Sequence, residues 1–216
     1  MTKKHKLQTT ILTITGFFLI LTVGCTVGSE IVDDDTPANV DNGDWQGDTE
    51  IVEVTNPETG KTWMDRNLGA SRAATSSTDE EAYGDLYQWG RAADGHQVVR
   101  TSGTTSALSD SDTPGHGDFI LAPDSPRDWR SPQNDNLWQG VNGTNNPCPP
   151  VYRLPSEVEW QEERESWSSN DAAGAFGSPL KLPVAGFRSR SDGSLRSVGS
   201  LGSYWSSTVD GTSSRM

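Results

Sequence analysis

Basic residues are scarce in this chain, cysteine is nearly absent and aliphatic side chains are few, and each shortage removes a class of function. Of 216 residues, 17 are Lys or Arg against 30 Asp or Glu, for a formal net charge of -13. Lys3, Lys4 and Lys6 all stand in the first few positions, so removing that start takes the charge from -13 to -16. Nucleic acid and anionic lipid headgroups both require basic protein surface, and neither is an expected partner. The acidic excess reads instead as a surface that keeps the chain soluble. With 32% hydrophobic residues and a mean hydropathy of -0.63, a large aliphatic core is excluded. Histidine is almost as rare as cysteine: beyond the leader only His96 and His116 occur, both in loop-like sequence. A thiol enzyme needs a base beside its cysteine, a closed zinc site needs four Cys or His ligands, and neither set is present. No cofactor is expected.

What is present points to one aromatic-anchored, loop-rich domain. Eight tryptophans offer the buried area that the aliphatics lack, while 22 glycines and 12 prolines favour turns over long helices. The start "MTKKHKLQTTILTITGFFLILTVGC" joins a basic segment, an apolar run over 11–23 and the small residue Gly24 before Cys25. This is the three-part form of a secretory signal, short for a membrane span. Its ending "LTVGC" resembles the bacterial lipoprotein signal, with Thr22 where leucine is usual. That resemblance implies cutting after Gly24, lipidation of Cys25, and anchoring to a bacterial membrane, the outer membrane or cell surface. An ordinary signal peptide cut nearby is the alternative. Residues 25–49 contain no Lys or Arg and are rich in Asp, Asn, Gly and Thr, which predicts a solvated tether. The domain is placed at 50–216, with 1–24 as signal peptide.

"EIVEV" alternates, "NPETG" is a turn and "KTWMDRNLG" resumes an extended pattern, so a hairpin should open the domain. Residues 83–95 read as a short buried element of undecided type, and 96–152 as an unusually long loop region, of the kind that is often functional. At "PSEVEW", Ser156 should cap a helix over about 155–167. Glu159 completes a capping box, and Val158, Trp160 and Trp167 face inward. "SSND" breaks that helix and offers a new cap. Short strands follow, with Leu180, Leu182 and Val184 on one face and a turn at Asp192 and Gly193. The fold class is α+β, with short strands, one or two helices and a long loop.

Several segments resemble, in order, the Fibrobacter succinogenes major paralogous domain family of exported bacterial proteins. They are "WMDRNLG", "YGDLYQWGR", "DWRSPQNDNLWQGVNGTNNPCP", "YRLPSEVEW", "LKLPVAGFR" with "DGS", and "GSYWSST". The resemblance implies a C-type-lectin-like layout, and "RLPSEVEW" is also similar to a segment of the formylglycine-generating enzyme fold. In the family a cysteine in a final strand reading like "SVRC" pairs with the one matching Cys148. The chain here stops at "TSSRM", so the resemblance implies a structural Cys148 without its partner and a domain incomplete at its C-terminus.

The residues leave two functional classes. One is a membrane-tethered, non-catalytic recognition or adhesion module for a glycan or other cell-surface ligand. The other is an exported enzyme, carbohydrate-active or related to formylglycine-generating enzyme. Trp129 and Trp138 in the long loop are candidates for stacking on sugar, against the alternative that they pin the loop to the core. Asp110, Asp112 and Gly115 begin an EF-hand-like pattern that fails at Pro114 and Leu121, so a solvated turn is expected there and no metal site.

Overall fold

The computed structural model describes residues 22–28, 47–210 and 213–214. In chain order, β1 (Thr26–Val27) precedes the predicted hairpin of β2 (Glu53–Thr55) and β3 (Thr62–Met64). Next come β4 (Thr104–Thr105) and β5 (Phe119–Ile120), a parallel pair, and β6 (Tyr152–Arg153). The helices α1 (Glu157–Glu165) and α2 (Ala172–Gly177) follow. Two short antiparallel pairs end the described chain: β7 (Phe187–Arg188) with β8 (Leu195–Arg196), and β9 (Val209–Asp210) with β10 (Ser213–Ser214). Few helices and small sheets make a mixed architecture compatible with the α+β class.

The largest sheet has the order β2, β3, β1, β6, all antiparallel. Its hairpin is locally encoded. The Asn56 side chain accepts from the amide of Glu58 at 2.9 Å, and its carbonyl accepts from the amide of Gly60, whose φ of 68° suits glycine. Between β3 and β6, however, lies a strand from the expected leader and tether. Residues 22–26 are buried, and Thr26 stands opposite both Trp63 and Arg153. The tether expected over 25–49 is therefore corrected at its start: residues 25–28 belong to the sheet, and residues 29–46 lie outside the described residues. The segment "TVGCTVG" is uncharged, so it can enter an interior that the acidic residues after it cannot. Much of its backbone is paired: the carbonyls of Thr22, Val23 and Cys25 accept from the amides of Trp205, Leu68 and Met64, and Gly28 donates to Val151. Thr22 and Thr26 hydroxyls donate to the carbonyls of Ser203 and Thr62.

Tryptophan supplies the largest side chains of the core, as the composition predicts. Trp138 sits among Tyr87, Trp89 and Trp205, with ring centroids 5.7–6.5 Å away, in a cluster that also holds Val23, Ile120 and Leu154. A second cluster joins Trp63, Leu180 and Leu182, packed by Trp160, Trp167 and Tyr204. The indole N–H groups serve a further purpose, because so much backbone here lacks a ladder partner. Those of Trp89, Trp129, Trp160 and Trp205 donate to the carbonyls of Ser206, Trp89, Trp205 and Tyr87 at 2.7–2.9 Å. Residues 83–95 take no regular form, yet Leu86, Tyr87 and Trp89 are buried as expected. Leu180, Leu182 and Val184 are also buried, though they lie in irregular chain and not in a strand.

The capping box is present as read: Ser156 accepts from the Glu159 amide, and the Glu159 carboxylate accepts from the Ser156 amide at 2.7 Å. The helix is shorter than 155–167, and one inward residue is corrected. Val158 is 63% exposed, whereas Trp160 and Trp167 pack inward and Glu163 is fully buried. Positions 160 and 163 share one face of α1, with Trp167 just past its end, while 158 points nearly opposite to 160 at about 100° per residue. The new cap after the break is Asp171, which accepts from the Gly174 amide at 2.9 Å at the start of α2.

Candidate recognition loops

Trp129 and Trp138 do not face solvent. Trp129 is 4% exposed and Trp138 fully buried, so neither ring face is open to a sugar, which corrects their expected role in stacking. The physical reason is the scarcity of aliphatics: these indoles are the material from which the core is built. Arg91 lies over the Trp129 ring at 5.7 Å.

Their burial anchors the outer part of the long loop from beneath. Above them the chain is tied by side chains. Asp112 forms an ion pair with Arg130 at 2.7 Å and accepts from Asn134 Nδ2 at 2.9 Å, and Asn145 Nδ2 donates to the carbonyls of Asp112 and Gly90. Arg130 also donates to the carbonyl of Pro132, and Gln133 Nε2 donates to Asp135 at 2.7 Å. Asp128 caps its own turn by accepting from the Arg130 amide, and burial, with Asp135 nearby, pushes its carboxyl up to about 6. The product is a surface of partly exposed amides, carboxylates and one guanidinium, held in fixed relation without a helix or strand of its own. Asp112 thus acts as a tie between turns, in keeping with the solvated-turn expectation for 110–118. Among the described residues, no group of three or more His, Cys, Asp or Glu is placed to hold a metal ion.

Under the other end of the loop runs a buried polar network. His96 accepts from the Gln88 amide through Nε2 at 2.9 Å and meets Asp94 through Nδ1 at 2.7 Å. Burial holds its imidazole down at about 4, against the opposing pull of Asp94, so the ring is neutral near pH 7. Arg91, fully buried, donates to Asp94, Gln88 and the carbonyls of His116 and Asp118. Arg188 reaches the His96 carbonyl and the Ser102 hydroxyl, and stacks on Phe119 at 4.2 Å. These groups satisfy one another and the backbone of 94–120, which is a structural use of charge.

Cys148 is not partnerless. It forms a disulfide with Cys25, with Cα atoms 5.9 Å apart and 123 positions between them in sequence. This corrects the expectation of an unpaired Cys148. It also commits the sulfur that lipidation of Cys25 would use. Cysteine parity could have revealed the pair, since two cysteines in a chain expected to be exported are an even number. The tie from Asp112 to Arg130 and Asn134 had no such signal: nothing in "DSDTP" or "DWRSPQNDN" shows that the two stretches meet. Comparison with family models, with curated proteins and with solved structures returns no match for this chain.

Proposed function

We propose that this chain is an exported, non-catalytic recognition or adhesion module, built on the C-type-lectin-like layout of the family its motifs resemble. Its ligand is a glycan or another hydroxyl-rich cell-surface molecule. The observation that carries this reading is the loop surface around Asp112, Arg130 and Asn134: polar side chains fixed by one another above a buried tryptophan core. Irregular loops on a rigid base are where binding residues concentrate, and fixing them beforehand lowers the ordering cost of binding. Amides, carboxylates and a guanidinium are the donors and acceptors that pair with sugar hydroxyls. The disulfide supports an oxidising, extracytoplasmic location. A lipid-anchored form at the bacterial outer membrane or cell surface completes the proposal, on the strength of the leader.

The test is a glycan-array measurement with wild type and with Arg130→Ala and Asn134→Ala, each with and without calcium. Binding by wild type that both variants lose, at unchanged circular dichroism, is the expected result. Binding that survives both substitutions would move the site elsewhere, and turnover of a glycan would move the protein into the enzyme class.

A further inference from the structure

Residues 22–28 carry two instructions that cannot both be followed. As sequence, Gly24 and Cys25 resemble the point at which a lipoprotein precursor is cut and lipidated. As structure, the same bond is inside the domain. Thr22, Val23, Cys25 and Thr26 are all buried, and the Trp160 ring lies 3.5 Å from where a Cβ on Gly24 would stand. Hydrogen bonds grip the strand on both sides of the bond. Upstream of it, the amides of Leu68 and Trp205 depend on the carbonyls of Val23 and Thr22, and the Ser203 carbonyl on the Thr22 hydroxyl. Downstream of it are the bond from Met64 to the Cys25 carbonyl, the register with β3 and β6, and the disulfide.

We infer that leader processing and closure of the domain compete for this one segment, an inference that rests on the lipid-anchor reading above. A chain that has closed the disulfide is no longer a substrate for lipidation or for cutting after Gly24. A chain lipidated and cut at Cys25 has lost residues 22–24, has an open slot between β3 and β6, and carries a free thiol at Cys148. Both routes consume the same atom. In closure, the two thiols of Cys25 and Cys148 become one S–S bond, and two protons and two electrons pass to a disulfide-type oxidant that is reduced to its dithiol. In lipidation, Cys25 Sγ forms a thioether to the diacylglyceryl carbon of a phospholipid. The bond from that carbon to its phosphate oxygen breaks, and the thiol proton leaves with the phosphate headgroup. The segment therefore selects between a closed, unlipidated domain and an anchored, open one.

The experiment expresses the full chain in a bacterium that processes lipoproteins, grown with an alkyne fatty acid, as wild type, Cys148→Ser and Cys25→Ser. Labelled and unlabelled pools are separated, their N-termini read by mass spectrometry, and Cys148 tested with a maleimide under denaturing, non-reducing conditions. Unlabelled wild type should retain residues 22–24 with Cys148 blocked. Labelled wild type should begin at Cys25 with Cys148 reactive. Cys148→Ser should raise the labelled fraction at the expense of the unlabelled one, and Cys25→Ser should carry no label. Equal labelled fractions in wild type and Cys148→Ser, with Cys25→Ser unlabelled, would overturn the competition and leave the anchor standing. Absence of label from every variant would overturn both, while glycan binding stays separately readable. Should Cys148→Ser fail to accumulate, the wild-type pools decide: unlabelled chains that begin at or after Cys25 and melt as the closed domain does would overturn the proposal.

Discussion

Residues 152–167 and residues 22–28 meet in the same sheet but are specified in opposite ways. The first stretch names its own structure: Ser156 and Glu159 exchange hydrogen bonds three positions apart, and Arg153 clasps Glu159 with two contacts of 2.8 Å. The second names nothing locally. Its place comes from Met64, Leu68, Tyr152 and Trp205, and from a cysteine 123 positions away. Local motifs survive the loss of distant partners, whereas a strand held only by long-range contacts is lost as a unit.

The largest test of that contrast is the disulfide. Cys148→Ser should cost about 4 kcal/mol, because a bond closing a loop of this length removes much unfolded-state entropy. The loss should show as a lower denaturant midpoint, with fast hydrogen exchange at the Met64 and Leu68 amides and little change within α1. The buried histidine comes next. Its folded pKa of about 4 lies below the ordinary 6.5, so its contribution is whole above pH 6.5 and is lost as pH falls toward 4. The size of that loss is roughly 3 kcal/mol. Asp85, raised by burial to about 6, and Asp128 work the other way, since each costs stability as pH rises through its range. The measurement is therefore a difference: melting of wild type minus His96→Gln between pH 7 and 4 should narrow steadily toward the acid end.

Smaller effects mark where the helix itself depends on distant groups. Asn56 Nδ2 donates to the buried Glu163 at 2.7 Å and to Ser166 at 2.9 Å, which ties the hairpin turn to α1. Asn56→Ala should cost about 1–3 kcal/mol by leaving a buried carboxylate short of a donor. Ser156→Ala should cost about 1 kcal/mol and speed exchange in the first turn of α1 alone. Val158→Ser should be neutral within about 0.5 kcal/mol in a urea titration, since that side chain is 63% exposed. A large loss there would mean that the helix packs by another face.

Legibility followed contact range. The hairpin around Asn56, the cap at Ser156 and the break before Asp171 could be read because their partners lie within a few residues. At Val158 hydrophobicity alone points inward, but the face of α1 that is packed carries Trp160 and Glu163, and a buried glutamate is not marked by hydrophobicity. Trp129 and Trp138 are buried and not open for stacking on a sugar, and residue type alone does not say on which side of the loop an indole stands. The ties among Asp112, Arg130, Asn134 and Asn145 had no local pattern at all.

By itself the sequence determined the class of molecule: an acidic, turn-rich domain with tryptophans in its core and a capped helix. Those properties follow from composition and from neighbours along the chain. Only the tertiary structure decided that the segment around Cys25 enters the sheet as an inner strand, that Cys25 meets Cys148, and that the loop tryptophans turn inward. Each of these is a pairing across the chain, settled by which uncharged segment can fill a buried slot and satisfy its backbone groups. No local spacing encodes such a choice.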